Sequence, residues 1–288
     1  YSKQKQLEGM VINQILEKEK SNYLMVDILS NIVEFRNGES GLHVLHIQTI
    51  TEMLLRQLVQ KENNRYALSK EQIRMITTAS ALHDIGKISI PDEILNKPGR
   101  LTAEEFAVIK GHSMAGANML SELPLDQKEE PLVKTAYEIC RWHHERYDGG
   151  GYPDGLKGEE IPVSAQVVAL ADVYDALTSE RCYKDAYSHE KAIEMILAGQ
   201  CGAFNPLMLE CLLDISSSLK KKMGYKSKER YEQTDLSDIA SRFHDFEMDS
   251  SEKIVQQLEF ERMRYNFLAE GSRNIVFTYT ISPPLLTF

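Results

Sequence analysis

Apolar positions recur at helical spacing from residue 21 to about residue 220, and the pattern there is almost wholly helical. Before it, Leu7, Met10, Val11, Ile15 and Leu16 form one stripe on the otherwise polar segment 1–20. Such a stripe packs either on the edge of a core or on a second copy of itself. Leu68-Ser69-Lys70-Glu71-Gln72-Ile73 reads as a capping box, with Ser69 at the N-cap, Gln72 at N3, and Leu68 and Ile73 spaced as a hydrophobic staple. Leu101-Thr102-Ala103-Glu104-Glu105-Phe106 repeats the device. Lys97-Pro98-Gly99 is a turn, and Ser188 opens a helix that stops near Gly199. Only residues 149–162, rich in Gly and Pro, read as a long loop, and long loops inside compact domains are usually functional or disordered.

Past Gly224 the pattern changes. Residues 225–250 are highly charged, 251–270 form one more amphipathic helix, and Asn274-Ile275-Val276-Phe277-Thr278-Tyr279-Thr280 is β-rich. A lone strand is unstable, so this one is either the start of a further domain or an edge added to a partner. The expected organisation is a linker helix (1–20), an all-α catalytic domain (21–224), a charged segment with a linker helix (225–270), and a strand-like beginning of another domain (271–288). The chain starts at Tyr1, which points to a piece of a longer protein.

Composition narrows the chemistry. A net charge of −10 argues against non-specific nucleic-acid binding, which needs basic surface, but leaves room for a small anion held by local cations or metal ions. Cys140, Cys182, Cys201 and Cys211 have no CxxC spacing, so neither a zinc knuckle nor a redox pair is indicated, and a reducing compartment fits. No apolar run approaches the roughly 18–20 residues that span a bilayer, and no signal-peptide core is visible. A cytoplasmic location without membrane or nucleic-acid partners is expected.

Against this background the histidines stand out. His83-Asp84 closes the helix begun at Ser69, behind Ile76, Ala79, Ala81 and Leu82, and Lys87 follows close by. A His-Asp pair on an apolar face is ordinarily a satisfied core pair; a cation beside it is suited to hold a phosphate oxygen. His112 follows Gly111, just after the helix begun at Thr102. His143-His144 follow the helix bearing Tyr137, Ile139 and Cys140. Adjacent histidines on a helix point about 100° apart, so they suit two metals, or one metal and a neighbour, better than one alone. Glu39 and His43 are spaced i, i+4, a weak signal with Gly41 between them. Asp172 lies in the apolar run Val167–Leu177, where a carboxylate needs a partner, whereas Asp175 reads as a local cap or pair. His46, His189 and His244 read as structural. Nitrogen and oxygen ligands without thiolate suit iron, manganese or a similar divalent ion better than structural zinc. Two such ions about 3.5–4 Å apart clamp an in-line displacement at phosphorus.

These residues carry a resemblance. His83-Asp84-Ile85-Gly86-Lys87, His143-His144-Glu145, Asp148-Gly149-Gly150-Gly151-Tyr152-Pro153 and Asp172-Val173-Tyr174-Asp175-Ala176-Leu177-Thr178-Ser179 together resemble the HD-GYP family, a branch of the HD-domain metal phosphohydrolases. The resemblance covers roughly residues 21–220. It implies an HD-domain helical bundle with two or three divalent ions (iron or manganese), hydrolysing cyclic di-GMP to the linear dinucleotide pGpG or to GMP. Position by position, it implies the metal ligands Glu39, His43, His83, Asp84, His112, His143, His144 and Asp172. Glu39 matches the glutamate of three-metal members. Lys87, Arg181 and Lys184 match phosphate-contacting cations. His46 stands where many members have arginine, and Asn205 where a Phe-Asp-Pro sequence is common.

The reaction expected from the resemblance is attack of a metal-bridging hydroxide on one phosphodiester, with Asp84 and Lys87 as catalytic residues and Lys87, Tyr152, Arg181 and Lys184 binding substrate. Lys87 or a metal-bound water protonates the leaving oxygen. The Gly-Tyr-Pro loop either walls the cleft, with Tyr152 stacking on a guanine, or docks a diguanylate cyclase. Arg181 falls nine residues after Asp172 and would face away from it on a continuous helix, so that helix must bend or end near Thr178-Ser179. The alternatives are a non-hydrolytic adaptor binding cyclic di-GMP or a protein, and a phosphodiesterase for another cyclic dinucleotide such as cGAMP. An upstream receiver domain and a homodimer through the N-terminal helix complete the expectation.

Overall fold

The computed structural model describes residues 23–34, 36, 42–62, 64–179, 186–224, 278–281 and 284–287. Leu7, Met10, Val11, Ile15, Leu16, Glu39, Arg181, Lys184, His244 and the segment 225–270 lie outside the described residues. The chain divides into two compact units, Tyr1–Met223 and Gly224–Phe288.

The first unit is helical among its described residues. Its α-helices are α1 (23–34), α2 (Leu42–Leu58), α3 (Lys70–Ala79), α4 (Asp92–Leu95), α5 (Ala103–Ser121), α6 (Leu125–Lys128), α7 (Pro131–Trp142), α8 (Val163–Thr178), α9 (His189–Leu197) and α10 (Pro206–Gly224). The architecture is an all-α bundle. Every residue of α8 from Ser164 to Ala171 is buried. A helix apolar on all sides belongs in the middle of a bundle, and α8 packs on α2, α7 and α9. On α2, Ile47, Ile50, Leu54, Leu55 and Leu58 are fully buried along one stripe. Each such side chain contributes about 1.5–3 kcal/mol relative to exposure.

The helix starts follow their sequence signals. Ser69 accepts from the Gln72 amide while the Gln72 side chain accepts from the Ser69 amide, and Thr102 and Glu105 do the same at α5. Ser188 caps α9, which ends at Leu197. Helix α8 ends at Thr178, with Ser179 extended at φ −93° and ψ 140°. The break required for Asp172 and Arg181 to serve one pocket is therefore present at the end of α8.

One local expectation is corrected. Helix α5 does not stop before Gly111 but runs on through His112 to Ser121. A mid-helix glycine costs only about 1 kcal/mol, and the packing of α5 against α7 and the 3₁₀ turn Ile85–Ser89 outweighs it. In the second unit, the β-rich stretch read at 274–280 overlaps β1 (Thr278–Ile281), which pairs antiparallel with β2 (Pro284–Thr287). Proline at the start of β2 hid that strand in the sequence, although a first strand residue needs no ladder amide.

Candidate metal centre

One glycine contact builds the site. The turn Ile85–Ser89 follows His83-Asp84 and presses Gly86 onto α5. A Cβ on Gly86 would sit 1.9 Å from the His112 carbonyl oxygen and 2.4 Å from the Gly116 nitrogen. Only glycine permits this approach, which carries Asp84 to His112. Arg36 fastens the far side of the same turn, donating to the carbonyls of Lys87 (3.1 Å), Ile88 (2.7 Å) and Ile90 (2.6 Å) and to Asp92 (2.9 Å).

Asp84 is shared between two groups of potential ligands: His43, His83 and Asp84 on one side, and Asp84, His112, His143 and His144 on the other. Its Oδ2 lies 3.2 Å from His83 Nε2 and 2.6 Å from Lys87 Nζ, and its Oδ1 lies 3.1 Å from His112 Nε2. The ring orientations are fixed from behind. Nδ1 of His83 donates to the Ser80 carbonyl (3.0 Å), that of His112 to Ile109 (2.7 Å), and that of His143 to Ile139 (2.8 Å). A carbonyl only accepts, so each Nδ1 carries a proton, and a neutral ring held this way presents its lone pair at Nε2. The Nε2 atoms converge: those of His112 and His143 are 3.3 Å apart, and those of His43 and His83 are 3.4 Å apart. Facing lone pairs around a carboxylate are repulsive on their own and become favourable around a cation. Neutral imidazoles oriented by carbonyls and carboxylates are also the usual outer support of a metal site. The donor set fits bound divalent ions.

Electrostatics divide the site into two ends. Burial lowers the His43 pKa, but the Asp175 hydrogen bond and charge, with Glu34 and Asp172, override it and raise it to about 10. Burial and the neighbouring imidazoles hold His143 well below its ordinary value, and burial with His112 brings His144 down to about 3. Burial would raise Asp84, yet Lys87, His83 and His112 keep its carboxyl well below the usual carboxylate range. The carboxylate-rich end therefore attracts cations, and the imidazole-rich end keeps neutral donors.

Sequence reasoning placed most of these residues together but misjudged some. His143, the C-cap of α7 (φ −66°, ψ −12°), and His144 fall in one group of potential ligands with Asp84 and His112. Asp172 is half-buried on α8 and belongs to neither group, although its charge acts on His43 and His83. Asp175 is more than a local cap. Its Oδ2 holds His43 Nδ1 at 2.7 Å and its Oδ1 holds His46 Nδ1 at 2.6 Å. The available signal was spacing: His43 and His46, like Asp172 and Asp175, sit i, i+3 on one helical face. His189 is structural as expected, between the Tyr174 hydroxyl (2.6 Å) and the Ser216 hydroxyl (2.8 Å).

The Gly-Tyr-Pro loop walls the cluster. The Tyr152 ring stacks on His144 at 4.8 Å and 28°. Glu145, buried beside His144, accepts the amides of Asp154 (2.7 Å) and Gly155 (2.9 Å) through Oε1 and so folds the loop back. Gly151 completes the fold-back, since a Cβ there would lie 2.3 Å from the Arg146 nitrogen. Glu145 was missed because nothing in its spacing announces a loop anchor.

Comparisons with known proteins identify the family. Residues 24–204 match the family described as HD domain. The chain is 40% identical over 213 residues to a Vibrio cholerae protein named "Probable cyclic di-GMP phosphodiesterase", covering 72% of this chain and 47% of that protein. It is 36% identical over 213 residues to the Xanthomonas campestris "Cyclic di-GMP phosphodiesterase response regulator RpfG", covering 74% and 52% respectively. It is also 37% identical over 203 residues to the Vibrio cholerae "3'3'-cGAMP-specific phosphodiesterase 2", covering 70% and 36%. The chain thus spans about half or less of the length of these relatives. With its His83-Asp84 pair and its Gly151-Tyr152-Pro153 loop joined at one buried centre, the chain belongs to the HD domain family, in its HD-GYP branch.

Proposed function

We propose that the chain is a metal-dependent phosphodiesterase that hydrolyses cyclic di-GMP to pGpG or GMP. The observation that carries the reading is Asp84, one carboxylate between two sets of inward-facing imidazole nitrogens, with the Lys87 ammonium 2.6 Å away. His43, His83, Asp84, His112, His143 and His144 would hold divalent ions there, with Asp172 and Glu39 as the further ligands and Glu39 serving a third ion. The ion set is iron or manganese, since every donor is nitrogen or oxygen. Bound ions supply Lewis acidity toward a phosphodiester and lower the pKa of water.

The remaining steps belong to the protein. Asp84 holds the two halves of the centre in register. Lys87 neutralises a non-bridging phosphate oxygen and donates a proton to the leaving oxygen. Arg181 and Lys184 orient the phosphates, one as a fork and the other as a point charge. Tyr152 presents an aromatic face on which a guanine stacks, excluding water from the cleft.

A second substrate has an observation in its favour, because one relative is named as specific for 3'3'-cGAMP. Hydrolysis rates on matched cyclic di-GMP and cGAMP, using anaerobically prepared protein, separate the two. Faster cGAMP turnover reverses the assignment. Full metal occupancy with tight binding and no turnover of either nucleotide makes the protein an adaptor instead. The setting we propose is cytoplasmic signalling, with a receiver domain or diguanylate cyclase as partner and a homodimer formed through the N-terminal segment. No helix among the described residues is long and apolar enough to cross a membrane.

A further inference from the structure

We infer that Lys110 is a further substrate-binding residue, taking the second phosphodiester of a cyclic dinucleotide while the first lies at the Asp84 centre. This rests on the substrate class proposed above and assigns a role to a residue outside every motif discussed so far.

Lys110 and Phe106 are i, i+4 neighbours on α5, the helix that carries His112. The Lys110 Nζ sits 5.0 Å from the Phe106 ring centre and 4.9 Å from that of Tyr152. Tyr152 in turn stacks on His144, and its phenol lies within electrostatic reach of Asp84, Asp172 and Lys87. The ammonium therefore lies against the ring that stacks on the histidine cluster. Among the described residues no carboxylate pairs with it.

A lysine placed this way is poised for exchange. An aromatic face holds an ammonium more weakly than a charge-assisted hydrogen bond to a phosphate oxygen does. An incoming anion can thus draw Lys110 off the rings, freeing the Tyr152 face for a base. The substrate chemistry asks for such a group. A cyclic dinucleotide carries two phosphodiesters in one ring, and a centre that hydrolyses one must also hold the other. Lys87, 2.6 Å from Asp84, is assigned to the phosphate at that centre. In a chain of net charge −10, a local cation in addition to Arg181 and Lys184 favours seating of the second anion.

The test compares Lys110→Met, which keeps the stem and removes the charge, with Lys110→Arg. Steady-state kinetics are measured on cyclic di-GMP, on cGAMP, and on bis(p-nitrophenyl) phosphate, a diester with a single phosphate. Lys110→Met should raise KM for the cyclic dinucleotide about tenfold more than KM for the small diester, with Lys110→Arg recovering most of the difference. Equal shifts in KM on both substrate types, or none, overturn the Lys110 assignment and leave the substrate reading intact. Wild-type turnover of the small diester without turnover of either cyclic dinucleotide overturns the substrate reading and the Lys110 assignment together.

Discussion

The Asp175 carboxylate holds His43 through a 2.7 Å contact between Oδ2 and Nδ1, although the two residues lie 132 positions apart. Its other oxygen takes His46 Nδ1 at 2.6 Å and the Ser179 hydroxyl at 2.8 Å. One buried carboxylate thus fixes the ring that faces His83 across the proposed metal position. Asp175→Asn keeps the shape and removes the charge. It is expected to weaken metal affinity about 10–100-fold while leaving helix content unchanged. Competitive chelator titration alongside far-ultraviolet circular dichroism checks this. Unchanged affinity would mean that His43 needs no such support.

Gly86 sets the approach of the His83-Asp84 turn to α5. Gly86→Ala places a methyl group 1.9 Å from the His112 carbonyl oxygen, inside a backbone contact that cannot yield cheaply. The expected cost is about 1–3 kcal/mol of stability, read by urea denaturation, with loss of metal binding in the protein that still folds. A variant of wild-type stability would show that the turn has room to move.

Glu145 ties the Gly-Tyr-Pro loop to the centre through two amides. Glu145→Ala leaves both amides without their acceptor, at about 1–3 kcal/mol. Hydrogen exchange should accelerate at Asp154 and Gly155 and remain unchanged in α2. Uniform acceleration across the unit would indicate a global effect instead.

The single tryptophan reports on the same loop. Asp154 Oδ2 accepts from Trp142 Nε1 at 2.7 Å and from Arg141 Nε at 2.7 Å, and Arg141 with Trp142 holds its carboxyl below the ordinary 3.8. A depressed folded value means that the loop contact is fully present above pH 3.8 and is lost as the pH falls through the lower folded value. Tryptophan fluorescence should therefore change with a midpoint below 3.8 in the native protein, and the transition should vanish in Asp154→Asn. A midpoint at or above 3.8 would contradict the pairing.

The parts of the centre that were legible in the sequence are those encoded locally. The Ser69 and Thr102 caps and the pairs His83-Asp84 and His143-His144 all lie within one turn of their own signals. Asp175 and Glu145 escaped because their roles depend on partners brought in by the tertiary fold: Asp175 meets His43 only when α8 lies along α2, and Glu145 meets the loop only after it folds back. Lys110 escaped for the same reason, since Phe106 is a helical neighbour but Tyr152 arrives from another segment. His112 falls within a group of potential ligands although its helix was ended too early, because packing against α7 and the Gly86 turn carries α5 past Gly111.

Metal stoichiometry in the wild type and in Asp84→Asn tests the shared-carboxylate centre most directly. Anaerobically prepared protein is saturated with manganese or iron, freed of excess ion, and analysed by elemental mass spectrometry, with cyclic di-GMP hydrolysis followed on the same samples. The wild type should retain at least two ions per chain and release pGpG or GMP, and Asp84→Asn should lose both the ions and the turnover while keeping its helical content. Retention of one ion or none by active wild-type protein, or an Asp84→Asn variant that keeps full metal and full turnover, would contradict it.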